Sequence, residues 1–120
     1  MAKIFELKGK ERDKIYGTSF HYGTINASVN EVEKKLGVKV RRVGADKVNY
    51  EVDLSINGIT ATIYDWKEDD ISRDTVVSLH IGTHTAEESK TVASILKSEY
   101  GLDATYKTWE EMLAGYNIKK

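Results

Sequence analysis

The dipeptide Asn57-Gly58 lies between two stretches in which apolar and polar residues alternate, and no other feature of the chain limits its fold as much. Both residue types tolerate the positive φ of a type I′ turn, whose twist matches that of the strands it joins. With these two residues as the loop, Ile56 faces Ile59, Leu54 faces Ala61, Val52 faces Ile63 and Tyr50 faces Asp65. One face of the hairpin is then apolar, while the other carries Asn49, Glu51, Asp53, Ser55, Thr60, Thr62, Tyr64 and Trp66. A slip of one residue would turn every side chain over, so the pattern selects the register. Each aliphatic side chain fully buried on the apolar face contributes roughly 1.5–3 kcal/mol of transfer free energy. Asp65 falls on the apolar side, where a carboxylate needs partners such as backbone amides, the Tyr50 hydroxyl or an Arg. It reads as a structural hydrogen-bond hub rather than a catalytic base.

Helix boundaries are marked by capping residues. Ser28-Val29-Asn30-Glu31 fits the Ser-x-x-Glu capping box, Val29, Val32 and Leu36 then share a face, and Gly37 suits a left-handed C-terminus. Thr85-Ala86-Glu87-Glu88 repeats the box ahead of a stripe of Val92, Ile95, Leu96 and Tyr100, closed by Gly101. Thr108-Trp109-Glu110-Glu111 predicts a short third helix. Further strands are expected at Ile4 to Leu7, Ile15 to Ile25, Val38 to Val43 and Thr75 to Ile81, with a charged loop from Lys8 to Lys14 and a turn at Gly44-Ala45-Asp46. The expected class is α+β: an antiparallel sheet of about four or five strands packed on one face by two or three helices.

At 120 residues the chain is expected to form a single domain, residues 1–120. It has no Cys, which removes disulfides, thiolate zinc sites and cysteine nucleophiles. Its apolar runs are too short to span a bilayer, and Met1 to Glu6 has no apolar core of a secretory signal, so a cytoplasmic protein with no membrane partner is expected. Eighteen Lys and Arg against nineteen Asp and Glu leave a net charge of −1. Such a balance does not suit duplex DNA, and Lys39, Arg41, Arg42 and Lys47 make only a local basic patch.

Three segments carry candidate chemistry. In His80-Ile81-Gly82-Thr83-His84-Thr85 a strand ends and a helix starts, a junction whose free amides and dipole favour an anion. Gly82 permits close approach there, and Thr83, His84 and Thr85 would add donors. The plainer account has Thr85 capping the helix and the histidines solvated or satisfied in the core. Metal ligation by His80 and His84 is disfavoured, because Gly82 and the change from strand to helix remove a common face. The second segment, Gly17 to Thr24, sets Thr18, Ser19, His21 and Tyr22 between two permissive glycines, a set suited to stacking on a base and bonding its edges. An aromatic edge strand with two bends explains the same residues. In the third segment Tyr64 and Trp66 lie opposite the apolar face, where they either pack under a helix or form a binding or dimer surface. Phosphate loop, dinucleotide fingerprint, His-Glu-x-x-His and nucleophile elbow are all absent, so neither metal nor cofactor is expected.

The succession Gly23-Thr24-Ile25, Leu36-Gly37, the Gly58 hairpin, Thr62-Ile63-Tyr64-Asp65-Trp66-Lys67 and His80-Ile81-Gly82 resembles a group of small bacteriophage accessory proteins over about residues 20 to 85. It departs from their pattern at Tyr50, where Trp is common, and at Thr83, where a second Gly often follows. The resemblance implies a phage protein acting in the cytoplasm of an infected bacterium. By analogy with compact phage proteins that blunt host immunity, the expected function is non-catalytic counter-defence: sequestration of a small, anionic, nucleotide-derived signal by a homo-oligomer. The alternatives are an inhibitor that occupies a host defence protein through Tyr64 and Trp66 or through Tyr106, Trp109 and Met112, and a small nucleotide hydrolase or lyase using His21 or His84.

Overall fold

The central hairpin forms in the expected register. In the computed structural model, which describes residues 2–18, 20–45, 47–66 and 71–107 (20–22 and 45 by backbone alone), β4 (Val48–Ile56) pairs with β5 (Ile59–Tyr64). Ile56 lies opposite Ile59, Leu54 opposite Ala61 and Val52 opposite Ile63. Asn57 and Gly58 take φ of 51° and 83°, the left-handed pair that a type I′ turn requires. Tyr50 and Asp65 meet differently, because β5 ends at Tyr64 and Asp65 reaches across with its side chain instead of its backbone.

Around this hairpin the described residues build a seven-stranded antiparallel sheet, more strands than the four or five expected. The remaining strands are β1 (Ile4–Glu6), β2 (Phe20–Ala27), β3 (Arg41–Ala45), β6 (Val77–Thr83) and β7 (Ala104–Tyr106). Their order is β1-β4-β5-β6-β2-β7, and β3 pairs with the first half of β4 beside β1. The unforeseen strand is β7, which pairs with β2 and has only three residues in which to show a period. The strand expected from Val38 starts later, at Arg41, because Val38 and Val40 both turn into the core.

Two α-helices close one face. In α1 (Val29–Leu36) the Ser28 hydroxyl accepts from the Glu31 amide, and Val29, Val32 and Leu36 are buried. In α2 (Ala86–Tyr100) Thr85 caps by accepting from the Glu88 amide, and Val92, Ala93 and Leu96 are buried. Both helices end on a left-handed glycine, Gly37 and Gly101. Their apolar residues join Ile25, Leu54, Ile56, Ile63, Leu79 and Ile81 in one core. The third helix expected from Thr108 lies outside the described residues. No helix among those described is long and apolar enough to cross a membrane.

The other face of the sheet is crossed by a strap that was expected to be loop. Gly9–Ile15 is a 3-10 helix with no buried residue, and it carries the chain from β1, at one edge, over the sheet to β2. Arg12 Nε lies 3.2 Å from Asp53 Oδ2, and His84 Nε2 donates to the Lys14 carbonyl at 2.7 Å. The residues after the strap explain Gly82. A Cβ there would stand 2.8 Å from the Thr18 carbonyl oxygen and 2.5 Å from the Thr62 hydroxyl, so only glycine lets the strap lie this close. The strand expected from Ile15 therefore begins at Phe20, since the preceding residues belong to the crossing.

Candidate functional site

Strand alternation decides which side chains the strap leaves uncovered. On β4 and β5 the face away from the helices carries Glu51 opposite Tyr64, Asp53 opposite Thr62, and Ser55 opposite Thr60. On β6 it carries His80 beside Tyr64 and Gly82 beside Thr62. The strap touches Asp53 and passes over Gly82, so it lies at the level of Thr62. It divides the face into a region around Tyr64 and His80 and a region around Ser55 and Thr60.

The first region is aromatic. Tyr64 stacks on His80 with ring centres 5.7 Å apart and planes 22° from parallel. Trp66 meets Tyr64 edge to face at 6.5 Å and 84°, and is 43% exposed. The Lys47 ammonium sits 5.8 Å from the centre of the Trp66 ring, within cation–π range. Burial, with a smaller contribution from the Glu51 charge, raises the Tyr64 phenol above its usual pKa, so at neutral pH it is a hydrogen-bond donor. Among the described residues neither Tyr64 nor Trp66 packs under α1 or α2; Tyr64 is half-buried and Trp66 exposed.

On the same face of β4, at and beside the level of the strap, lies a charged cluster that the sequence did not single out. Asp53, whose side chain is 1% exposed, receives Arg12 and Arg41 on the same oxygen, Oδ2, at 3.2 and 3.3 Å. Its Oδ1 is buried with no hydrogen-bond partner among the described residues. Burial, together with the hydrogen bond and charge of Asp53, pushes the neighbouring Glu51 up to about 7 against the opposing pull of Arg41 and Arg12. A proton held on Glu51 keeps two carboxylates on one strand face from repelling each other. The only advance signal was the alternation that puts Glu51 and Asp53 on the same side; which arginines would meet them depends on contacts distant in sequence.

The segment from Gly82 to Thr85 is occupied by the protein itself. Thr83 Oγ1 donates to the Thr85 carbonyl at 2.7 Å and pairs with the Ser89 hydroxyl at 2.6 Å, and Thr83 and Ser89 are both fully buried. Thr85 caps α2, His84 holds the strap, and Gly82 lies under the Thr18 carbonyl. Thr85 caps the helix as the plainer account has it, and the hydroxyls of Thr83 and Thr85 are engaged within the fold. Thr18 likewise donates its hydroxyl to the Ile15 carbonyl at 2.6 Å. Ser19 lies outside the described residues, and His21 and Tyr22 are described by backbone alone, on the strand beside β6.

Asp65 is the hub expected of it. Fully buried, it accepts from the Asn49 amide at 2.9 Å and the Tyr50 amide at 2.8 Å on Oδ1, and from Asn49 Nδ2 at 2.8 Å on Oδ2. Of the partners open to it in the sequence, backbone amides prevail. These bonds pin the strand end that carries Tyr64 and Trp66. No group of three His, Cys, Asp or Glu suited to a metal occurs among the described residues. Comparisons of the chain with protein-family models, with curated proteins and with solved structures find no match.

Proposed function

We propose that this protein binds and sequesters a small nucleotide-derived signal without converting it, as a phage counter-defence protein acting in the cytoplasm of its host. One observation carries the reading: the Tyr64–His80 stack on the sheet, with Trp66 at its edge and 43% exposed. A base stacks on such rings without regard to its identity, at about 1–3 kcal/mol per base. The Tyr64 hydroxyl and the Lys47 ammonium supply a donor and a positive charge for the polar part of the ligand. His21 and Tyr22 lie on β2, which pairs with β6, the strand that carries His80, and belong to the proposed site by that position. Thr83 and Thr85 take the part of supports, fixing the end of β6 and the start of α2. The phage assignment comes from the resemblance in sequence, and the homo-oligomer is part of the same proposal.

Calorimetric titration with linear and cyclic mono- and dinucleotides tests the reading. At least one ligand is expected to bind at micromolar concentration or tighter, and Trp66→Ala to weaken it roughly tenfold, the value of about 1.4 kcal/mol. Heating the complex is expected to return the ligand unchanged on chromatography. A converted product would favour the hydrolase or lyase reading. No binding across the panel, with a stoichiometric host protein recovered on the Tyr64 and Trp66 face, would favour the inhibitor reading.

A further inference from the structure

We infer that the groove on the other side of the strap, walled by Lys3 just before β1, Phe5 of β1, Lys14 of the strap, and Ser55 and Thr60 of the hairpin, binds a phosphate group carried on a small planar body. This site is separate from the Tyr64–His80 face, because the strap lies between them.

The groove has a volume of about 540 Å³, within the range of small-molecule sites. Among the described residues no carboxylate lines it. Arg12, Arg41, Lys35 and Arg73 each pair with an acid, whereas neither Lys3 nor Lys14 ion-pairs with a carboxylate among the described residues. In a chain of net charge −1, two lysines lining one concavity give it a local positive charge that a phosphate dianion would match. Ser55 and Thr60 stand opposite each other in the β4–β5 register, and both line the groove. The Lys3 amide donates to Asn57 Oδ1 at 2.8 Å, fixing the start of β1 against the turn and leaving the Asn57 Nδ2 group to donate. Phe5 completes the wall. It is 51% exposed, an apolar ring that a planar body would cover.

The ammoniums and hydroxyls suit inorganic phosphate and a phosphate monoester alike, and the ring of Phe5 distinguishes the two. Calorimetry at low salt with phenyl phosphate, inorganic phosphate and phenol separates the sources. Phenyl phosphate is expected to bind at least tenfold tighter than either of the others. The double variant Lys3→Gln/Lys14→Gln, both at exposed positions, is expected to lose at least tenfold in affinity for phenyl phosphate. Phe5→Ala should weaken phenyl phosphate at least threefold and leave inorganic phosphate unchanged, and Trp66→Ala should change neither. Circular dichroism on each variant verifies that it is folded. Absence of phenyl phosphate binding, undiminished binding by the lysine double variant, or phenol binding as tightly as its phosphate ester would overturn the phosphate site. Inorganic phosphate binding as tightly as phenyl phosphate would overturn the planar body, and loss of binding in Trp66→Ala would overturn the separation of the two sites.

Discussion

Beneath the helices, Leu54, Ile56, Ile81 and Leu96 are completely buried, and contact there is mostly apolar, with the Thr83–Ser89 hydroxyl pair as a buried exception. Alternate residues of the same strands turn Asp53, Ser55, Thr62, Tyr64 and His80 the other way, where the strap crosses them. It is held by directed contacts: Arg12 on Asp53, the Lys14 carbonyl on His84, the Thr18 carbonyl over Gly82. Burial by area makes one face rigid and tolerant of small shifts, since apolar contact has no direction. The strapped face depends on a few atoms at fixed distances and leaves rings and cations in contact with solvent. A thin sheet can therefore be stable on one side and available to a ligand on the other.

Substitutions that act on one face alone separate these two kinds of cover. The largest effect is expected under the helices, where Leu96→Ala should lower the unfolding free energy by about 2–5 kcal/mol through lost transfer energy and a cavity. Denaturant titration at unchanged m-value measures it, and a loss below about 1 kcal/mol would remove the helical face as the foundation. Next comes Asp65→Ala, at about 2–4 kcal/mol, because the Tyr50 amide would be left buried without an acceptor and the Asn49 amide would lose its own. Gly82→Ala should cost about 1–3 kcal/mol, since its new Cβ meets backbone that cannot rotate away. That substitution should also speed tryptic cleavage at Lys8, Arg12 and Lys14, which Leu96→Ala should do only through global unfolding.

The smallest effect is electrostatic. Glu51 binds its proton more tightly in the folded protein, where it titrates at about 7, than in the unfolded chain near 4.5. Between those values the folded state holds more protons, so this group's contribution to stability falls as pH rises from about 4.5 to 7 and is level above that. In Glu51→Gln that decline should be missing, and the variant should gain on the parent protein from about pH 5 to pH 7 and then run level with it in thermal melts. Parallel pH profiles for the two proteins would show that burial and Asp53 do not raise the Glu51 carboxyl.

What could be read in advance follows the same division. The hairpin register, both helix caps, Gly101 and the buried Asp65 depend on residues close in sequence or on a single alternation, and their physics is local. The strap is different: Gly9 to Ile15 has no apolar period, and Arg12 finds its place only because Asp53, far along the chain, is on the face it crosses. Gly82 was legible as a point of close approach, but what approaches is the backbone near Thr18. Tyr64 and Trp66 were visible as a polar-side aromatic pair. Their partner His80 emerged only from the β5–β6 register, which no local pattern encodes.

Amide chemical-shift mapping with the tightest nucleotide of the panel tests the division of the two faces most directly. The expected shifts cluster at Tyr64, Trp66, His80 and Thr24, with Val92 and Leu96 unmoved. Shifts confined to the helices, or none at Tyr64 and His80 once the protein is saturated, would contradict it.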